Sequence, residues 1–419
     1  MYSHRHHRHA LPALDLDGQN VIIVDTLVLS PGVPLTQPAV EAALECGVPA
    51  VSELGFAFAA LPVALPLAAV TGTNGKSTVT TFSAQLLRAC GLTTWAGGNL
   101  GTPLSELALA CRHGAHFDAA VVEVSSYQLQ LPGSFQPNVG VVLNVTPDHL
   151  ERHLSMLHYA AAKCNCFAHM TPDDLAIIQE DDEVIAQLLA DCGGHPERAW
   201  LGRLPGCTLQ GSQAHLQLPG WDDALELDLS GLTVPGRHNL MNAATAALLA
   251  VALPVGVTRE RLQAALPALQ PPPHRMQVLG QLDGITWIDD SKATNLEAAI
   301  AGISGLEGPA VVLLGGQAKA QVDGSLGFAR LAPHLHRYRA VMVFGTSGPA
   351  IAQELDACGV RCIQTTNLAA AVAAARGLAQ SGDTILLSPA CASFDEFRNF
   401  EHRGQCFAQL LQQWQDAAQ

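Results

Sequence analysis

At 419 residues the chain is too long for one average domain and long enough to bury two or three separate cores. Its 48% hydrophobic, 14% charged and 5% aromatic composition excludes a disordered chain and fits an Ala/Leu/Val-rich α/β protein. A formal net charge of -15 excludes a broad attraction to a nucleic-acid polymer or an anionic membrane, so an anionic ligand must meet locally clustered Lys and Arg.

The opening "MYSHRHHRHALPAL" has no signal-peptide core, and no apolar run is long enough to span a bilayer, so a cytoplasmic address is expected. Its "HRHHRH" is given no functional role. Eleven cysteines without a C-x-x-C pair read as reduced thiols, and Cys164 and Cys166 in "KCNC" lack a downstream cluster that would make zinc. Residues 1–64 read as a small α/β unit, with "NVIIVDTLVLSPG" as strand and turn and "QPAVEAALECG" as helix.

Residues 65–272 begin with the strand "LPLAAVTG", which runs into a Gly loop and the helix "KSTVTTFSAQLLRACG", closed by Gly91. "FDAAVVEVS" and "NVGVVLNVT" are buried strands that end in polar residues, and ligands of open α/β sheets bind beyond such strand ends. The stretch from about Pro196 to Pro235 reads as short antiparallel strands, followed by the helix "HNLMNAATAALLAVA". "PPPH" at 271–274 reads as a hinge. In residues 273–419 the strands "GITWIDDS", "PAVVLLGG", "RAVMVFGT" and "DTILLSPA" alternate with Ala-rich helices, which gives a second doubly wound parallel sheet.

"AVTGTNGKST" keeps Gly75, Lys76 and Ser77 of a phosphate-binding loop but has Val70 at the usual first glycine. Such a loop wraps phosphate oxygens with backbone N–H groups at a helix N-terminus. Gly72 supplies the turn that Val70 cannot, Lys76 faces the β- and γ-phosphates, and Ser77 or Thr78 faces Mg2+. An ordinary Gly-containing strand–helix turn is the competing reading.

Glu123 in "VVEVSSYQLQ" sits where a carboxylate reaches a metal at the phosphates, or where it simply meets solvent. In "NVTPDHLERH" Asn144, Asp148, His149 and His153 crowd a strand end; His149 suits a second magnesium site if the loops converge. Lys163, within the apolar helix "HYAAAKCN", reads on its own as a surface lysine with a buried stem. Asn239 and Asn242 share a helix-start face, as capping groups or as adenine and ribose contacts. "PHRM", "IDDSKATN", "GGQAK" and "SPACASFDEFRNFEHRG" each place polar groups at strand ends, and each alone is a weak signal.

Their order is a stronger signal. "TGTNGKST", "GNLGTPL", "EVSSYQLQ", "NVTPDHLERH", "GRHNLMNAATA", "PHRM", "IDDSKATN", "LLGG" and "LLSPACASFDEFRNFEHRG" follow one another as in the Mur ligase family, which the chain resembles from about Ser30 onward. The resemblance implies three parts: an N-terminal unit on the UDP-substrate side, a central P-loop sheet for ATP and a C-terminal Rossmann-like sheet for the amino acid. The ending is similar to that of the D-glutamate-adding members. For them the acceptor is UDP-N-acetylmuramoyl-L-alanine and the reaction is ATP-dependent amide formation through an acyl phosphate. A monomer active in peptidoglycan precursor synthesis is implied.

The resemblance also implies roles. Gly72, Thr73, Asn74, Gly75, Lys76, Ser77 and Thr78 would hold the nucleotide phosphates, with Asn239, Asn242, Arg275, Asp289 and Lys292 on the ATP side. Ser77, Glu123, His149 and Lys163 would serve two Mg2+ ions, Lys163 as a carbamylated lysine, and Lys76, Glu123, His149 and Lys163 would be catalytic. Ser30, Gly32, Asn99, Ser125 and Gln128 would face the muramoyl substrate. Thr294, Lys319, Ser388 and Phe394 or Phe397 would face D-glutamate, since lysine and hydroxyls suit a dicarboxylate.

Two departures stand out. The family's "GGDGK" is "GGQAK" here, which keeps Lys319 without the carboxylate beside it. Ahead of Ser30 the chain lacks the family's Gly-rich strand–turn, so a shortened N-terminal unit with a weaker uridine grip is expected. A catalytically impaired nucleotide-binding homologue and a folylpolyglutamate-synthetase-like ligase are the competing functions.

Overall fold

Five consecutive buried residues, Leu67–Thr71, form an interior strand of the larger sheet, third from one edge. The computed structural model describes residues 13–15, 21–23, 25–62, 64–191, 194–234, 236–319 and 325–418; the His-rich opening, Asn20 and Val24 lie outside them. Strand Leu67–Thr71 pairs in parallel with Ala119–Glu123 on one side and Val139–Val142 on the other. Thr94–Gly98 extends the sheet beyond the first, and Leu175–Gln179 and Glu197–Leu201 extend it beyond the second, all parallel. Leu67–Thr71, Ala119–Glu123 and Val139–Val142 are buried along their whole length, as expected of strands covered on both faces.

The stretch expected to be wholly antiparallel divides. Glu197–Leu201 and Gly206–Gln210 join the parallel part of the sheet, and only Gln213–Gln217 is reversed, pairing antiparallel with Gly206–Gln210 on one side and with Leu225–Asp228, the ninth strand, on the other. Local composition reads turn spacing well but cannot say which neighbour a strand selects. Helix Lys76–Ala89 covers one face and packs Val79, Phe82 and Leu86 against Ala243, Ala246 and Ala250 of helix Arg237–Ala252. The alanines let the two backbones approach closely while burying their methyl groups. Leu54, Leu104, Leu107, Phe135 and Phe167 fill the other face.

The second sheet has six strands. Ile285–Asp289, Thr384–Leu387, Ala310–Gly315, Ala340–Phe344 and Cys362–Gln364 are parallel, and Gln277–Leu282 adds an antiparallel edge that the sequence reading missed. Separate apolar clusters fill its two faces, one around Ile303, Phe328 and Ile351 and the other around Trp287, Phe407 and Leu411. Near the N-terminus Leu27–Leu29 pairs in parallel with Ala50–Ser52. Among the described residues, no helix is long and apolar enough to cross a membrane.

Candidate active site

The phosphate loop begins where strand Leu67–Thr71 ends. Gly72 and Gly75 have φ of +145° and +87°, so the loop uses conformations that residues with a Cβ rarely adopt. Gly75 is the N-cap of helix Lys76–Ala89, whose first turn lacks acidic residues and leaves the positive helix end open to an anion. Asn144, from the neighbouring strand end, locks the loop: its Oδ1 accepts from Asn74 N at 2.8 Å and its Nδ2 donates to Asn74 O at 3.1 Å. Thr73 is fixed similarly, with its Oγ1 accepting from Thr146 N at 3.0 Å.

Two lysines converge on one carbonyl. Lys76 Nζ donates to Gly72 O at 2.8 Å and to Thr73 O at 2.7 Å, and Lys163 Nζ donates to the same Gly72 O at 2.8 Å. Lys163 is 1% exposed, so its reading as a surface lysine is overturned: helix Met156–Cys164 turns this face inward, with Nζ 4.4 Å from the centre of the Tyr159 ring. Burial first, and then the charge of Lys76, hold the Lys163 ammonium well below the ordinary lysine range.

Glu123 closes the neighbouring strand end. It is 2% exposed; its Oε1 accepts from Asn99 Nδ2 at 2.7 Å, while its Oε2 is buried without a hydrogen-bond partner. A buried carboxylate oxygen left bare is costly unless a ligand completes it. Ser77, Asn99, Glu123, Arg275 and Lys292 line one cavity of about 430 Å³. Asn99 also borders a second, of about 190 Å³, with Lys76, Ser125, His149 and Lys163. His149 holds a φ of 54° and its Nδ1 lies 3.1 Å from Tyr127 Oη.

The six-stranded half reaches across to this loop. Arg275 donates to Ser77 Oγ at 3.0 Å, and Lys292 Nζ sits 3.7 Å from the centre of the Phe400 ring, with burial lowering its pKa to about 8. Asn239 and Asn242 line a cavity of about 160 Å³ with Gly75, Thr78 and Arg275, and Asn242 Nδ2 donates to Asn239 Oδ1 at 3.2 Å. On the opposite side, Asp148, His149, Thr294 and Lys319 line a cavity of about 390 Å³. There Lys319 Nζ meets Asp148 Oδ1 at 3.1 Å, and Asn295 Nδ2 donates to Asp148 Oδ2 at 3.3 Å. The carboxylate that "GGQAK" lacks is thus supplied from the other half of the molecule.

Residues 70–250 match the Mur ligase middle domain, and residues 274–391 match the Mur ligase glutamate ligase domain. The UDP-N-acetylmuramoylalanine–D-glutamate ligase of Pelotomaculum thermopropionicum is 38% identical over 93% of this chain and 83% of its own length. That of Anaeromyxobacter dehalogenans is 39% identical over 92% of this chain and 83% of its own length. The chain belongs to the Mur ligase family. Its fold is similar to that of Thermotoga maritima MurF ligase in complex with ADP, with a TM-score of 0.63 at 18% identity over 90% of this chain and 85% of that one. Mycobacterium tuberculosis folylpolyglutamate synthase complexed with ADP gives 0.62 at 18% identity over 85% and 93%.

For this Mur ligase the expected site residues divide into those that converge and those that do not. Lys76, Ser77, Glu123, Arg275 and Lys163 gather around the loop, and Thr294 and Lys319 share the cavity with Asp148. Ser30 is an exposed residue beside a small crevice with Tyr127 and Arg152, and Gly32 is exposed. Gln128 is buried, and its Oε1 accepts from both Ser125 N and Ser125 Oγ at 2.9 Å, so it shapes Ser125.

Asp289 and Ser388 are both fully buried. Ser388 Oγ donates to Asp290 Oδ2 at 2.7 Å, and neither residue borders the Lys319 cavity. Phe394 is 70% exposed and Phe397 packs edge-on to His402. The phenylalanine of this ending that meets a site lysine, Lys292, is Phe400, which sequence reasoning passed over. Its place at the start of helix Phe400–Ala418, in the motif "NFEHRG", was the available signal.

Proposed function

We propose that this Mur ligase adds D-glutamate to UDP-N-acetylmuramoyl-L-alanine in peptidoglycan precursor synthesis, with ATP as the phosphoryl donor. The observation that carries the reading is the meeting of Lys76 and Lys163 on Gly72 O, beside a buried Glu123 oxygen that has no hydrogen-bond partner. The glycine loop and open helix end fit nucleotide phosphates, and the Glu123 oxygen fits a divalent cation. Ser77, Glu123, His149 and a carbamate on Lys163 are the residues that would hold Mg2+, which when bound offsets the charge of the gathered phosphates. Burial disfavours the ammonium form of Lys163 and so favours uptake of carbon dioxide by its free amine, which forms an N–C bond and releases one proton.

In this reading the loop and Lys76 hold ATP while the acceptor's terminal carboxylate attacks the γ-phosphorus, giving an acyl phosphate and ADP. Arg275 and Lys292 neutralise charge on the transferring group. Lys319 and Thr294 take a carboxylate of D-glutamate, whose amine attacks the acyl carbon and expels phosphate. Asn99 and Ser125 line the acceptor side, with Ser30 and Gly32 further out. The assignment fits a division at 1–64, 65–272 and 273–419, and a cytoplasmic monomer. The test is product analysis with UDP-N-acetylmuramoyl-L-alanine, ATP, Mg2+ and D-glutamate. The expected result is one amide product with one ADP and one phosphate. ATP binding without any product would leave the impaired-homologue reading, and turnover only with L-glutamate on a folate acceptor would leave the other.

A further inference from the structure

Arg275 is flanked by two residues in the left-handed region, His274 at φ 63° and Met276 at φ 45°. Neither is a glycine, and such conformations persist only where surroundings impose them. Here the surroundings are Asp289, which ends strand Ile285–Asp289, and Asp290, which follows it. His274 Nδ1 lies 2.6 Å from Asp289 Oδ2; the carboxylate can only accept, so the ring nitrogen donates. Met276 N donates to Asp290 Oδ1 at 3.2 Å. The remaining oxygens are also taken, Asp289 Oδ1 by Ser291 N at 2.8 Å and Asp290 Oδ2 by Ser388 Oγ.

Both pairs are pressed by a glycine from a helix. A Cβ on Gly404 would overlap His274 Nδ1 and come within 2.6 Å of Asp289 Oδ2, and one on Gly302 would come within 2.8 Å of Asp290 Oδ2. His274 also braces the lysine of the neighbouring motif, since Lys292 N donates to His274 O at 3.0 Å.

We infer that His274 and Asp289 are a positioning pair: they clamp the hinge onto the six-stranded sheet so that Arg275 projects to the phosphate loop, where it donates to Ser77 Oγ. Asp289, with both oxygens engaged inside the protein and no exposure, acts through His274 and Arg275 and touches no nucleotide. This rests on the ligase reading for its kinetic readout but not for its geometry.

The inference is tested by His274→Ala, His274→Asn and Arg275→Ala, alone and combined, in the full chain. Asparagine places an N–H at the position of Nδ1 and tolerates positive φ, but lacks Nε2. His274→Ala should lower turnover about 100-fold, the scale of a displaced catalytic group, and His274→Asn should restore most of it with an unchanged pH profile. In the Arg275→Ala background, His274→Ala should cost little more. An inactive His274→Asn that melts like the wild type, or fully additive losses, would overturn the inference. The same cycle read on affinity for a non-hydrolysable ATP analogue separates this from the function: a wild type that binds the analogue without turnover sinks the ligase reading, while coupling between His274 and Arg275 still decides the positioning pair.

Discussion

The phosphate loop and the Lys319 cavity are built by opposite means. The loop is one contiguous strand, turn and helix, held by backbone and by Asn144 from the adjacent strand. The cavity joins side chains from both halves, with an exposed Lys319 meeting Asp148 across the gap. A site of the first kind is pre-organised for charge stabilisation; one of the second kind is completed by relative motion of its walls. Substitutions should therefore separate them, with loop-side changes lowering turnover and cavity-side changes weakening amino-acid binding.

The largest effect is expected at Lys163. Lys163→Ala should lower turnover by ~1,000-fold or more, on the scale of removing a pre-organised electrostatic group, and added bicarbonate should not restore it. Labelled bicarbonate should give a carbamate resonance in the wild type and none in the variant; unchanged turnover in Lys163→Ala would end the assignment. Next comes Arg275→Ala, expected to lower kcat by ~100-fold with little change in KM for D-glutamate. An effect confined to KM for D-glutamate would move Arg275 to the cavity side and blur the comparison. Lys319→Ala should do the reverse, raising KM for D-glutamate by roughly 10–100-fold, the worth of a charge-assisted bond, while kcat at saturation changes less.

The smallest effect is one of stability. Burial pushes Asp290 up to about 7 from an ordinary 3.8. Because the folded value lies above the unfolded one, the native state holds the extra proton between them; the stability this gives is present below about pH 4 and lost as pH rises through about 7. Asp290→Asn removes that titration. From about pH 5 to about pH 8 the wild type should lose melting temperature relative to the variant, and a relative gain would contradict the assignment.

The same contrast governs what could be read from the sequence. The loop was legible because Gly72, Gly75, Lys76 and Ser77 act within one turn, so their spacing already states their geometry. Lys163 looked like a surface residue because helical periodicity cannot reveal that a second lysine, Lys76, and Gly72 O lie beneath it. In "SPACASFDEFRNFEHRG" three phenylalanines compete, and only the helix start at Phe400 decides which ring meets Lys292. Asp148 was noticed as part of a polar strand end, but its pairing with Lys319 depends on how two separate sheets face each other. The parallel sheets themselves followed from apolar runs, whereas the antiparallel edge Gln277–Leu282 has an alternating, half-exposed pattern and was missed.

The division of labour between loop and cavity is tested most directly by a rapid-quench measurement of ADP formed in the first turnover from ATP and UDP-N-acetylmuramoyl-L-alanine, with D-glutamate withheld. Wild type and Lys319→Ala should form ADP at similar rates, and Lys163→Ala should form almost none. Loss of first-turnover ADP in Lys319→Ala, or its survival in Lys163→Ala, would contradict the account.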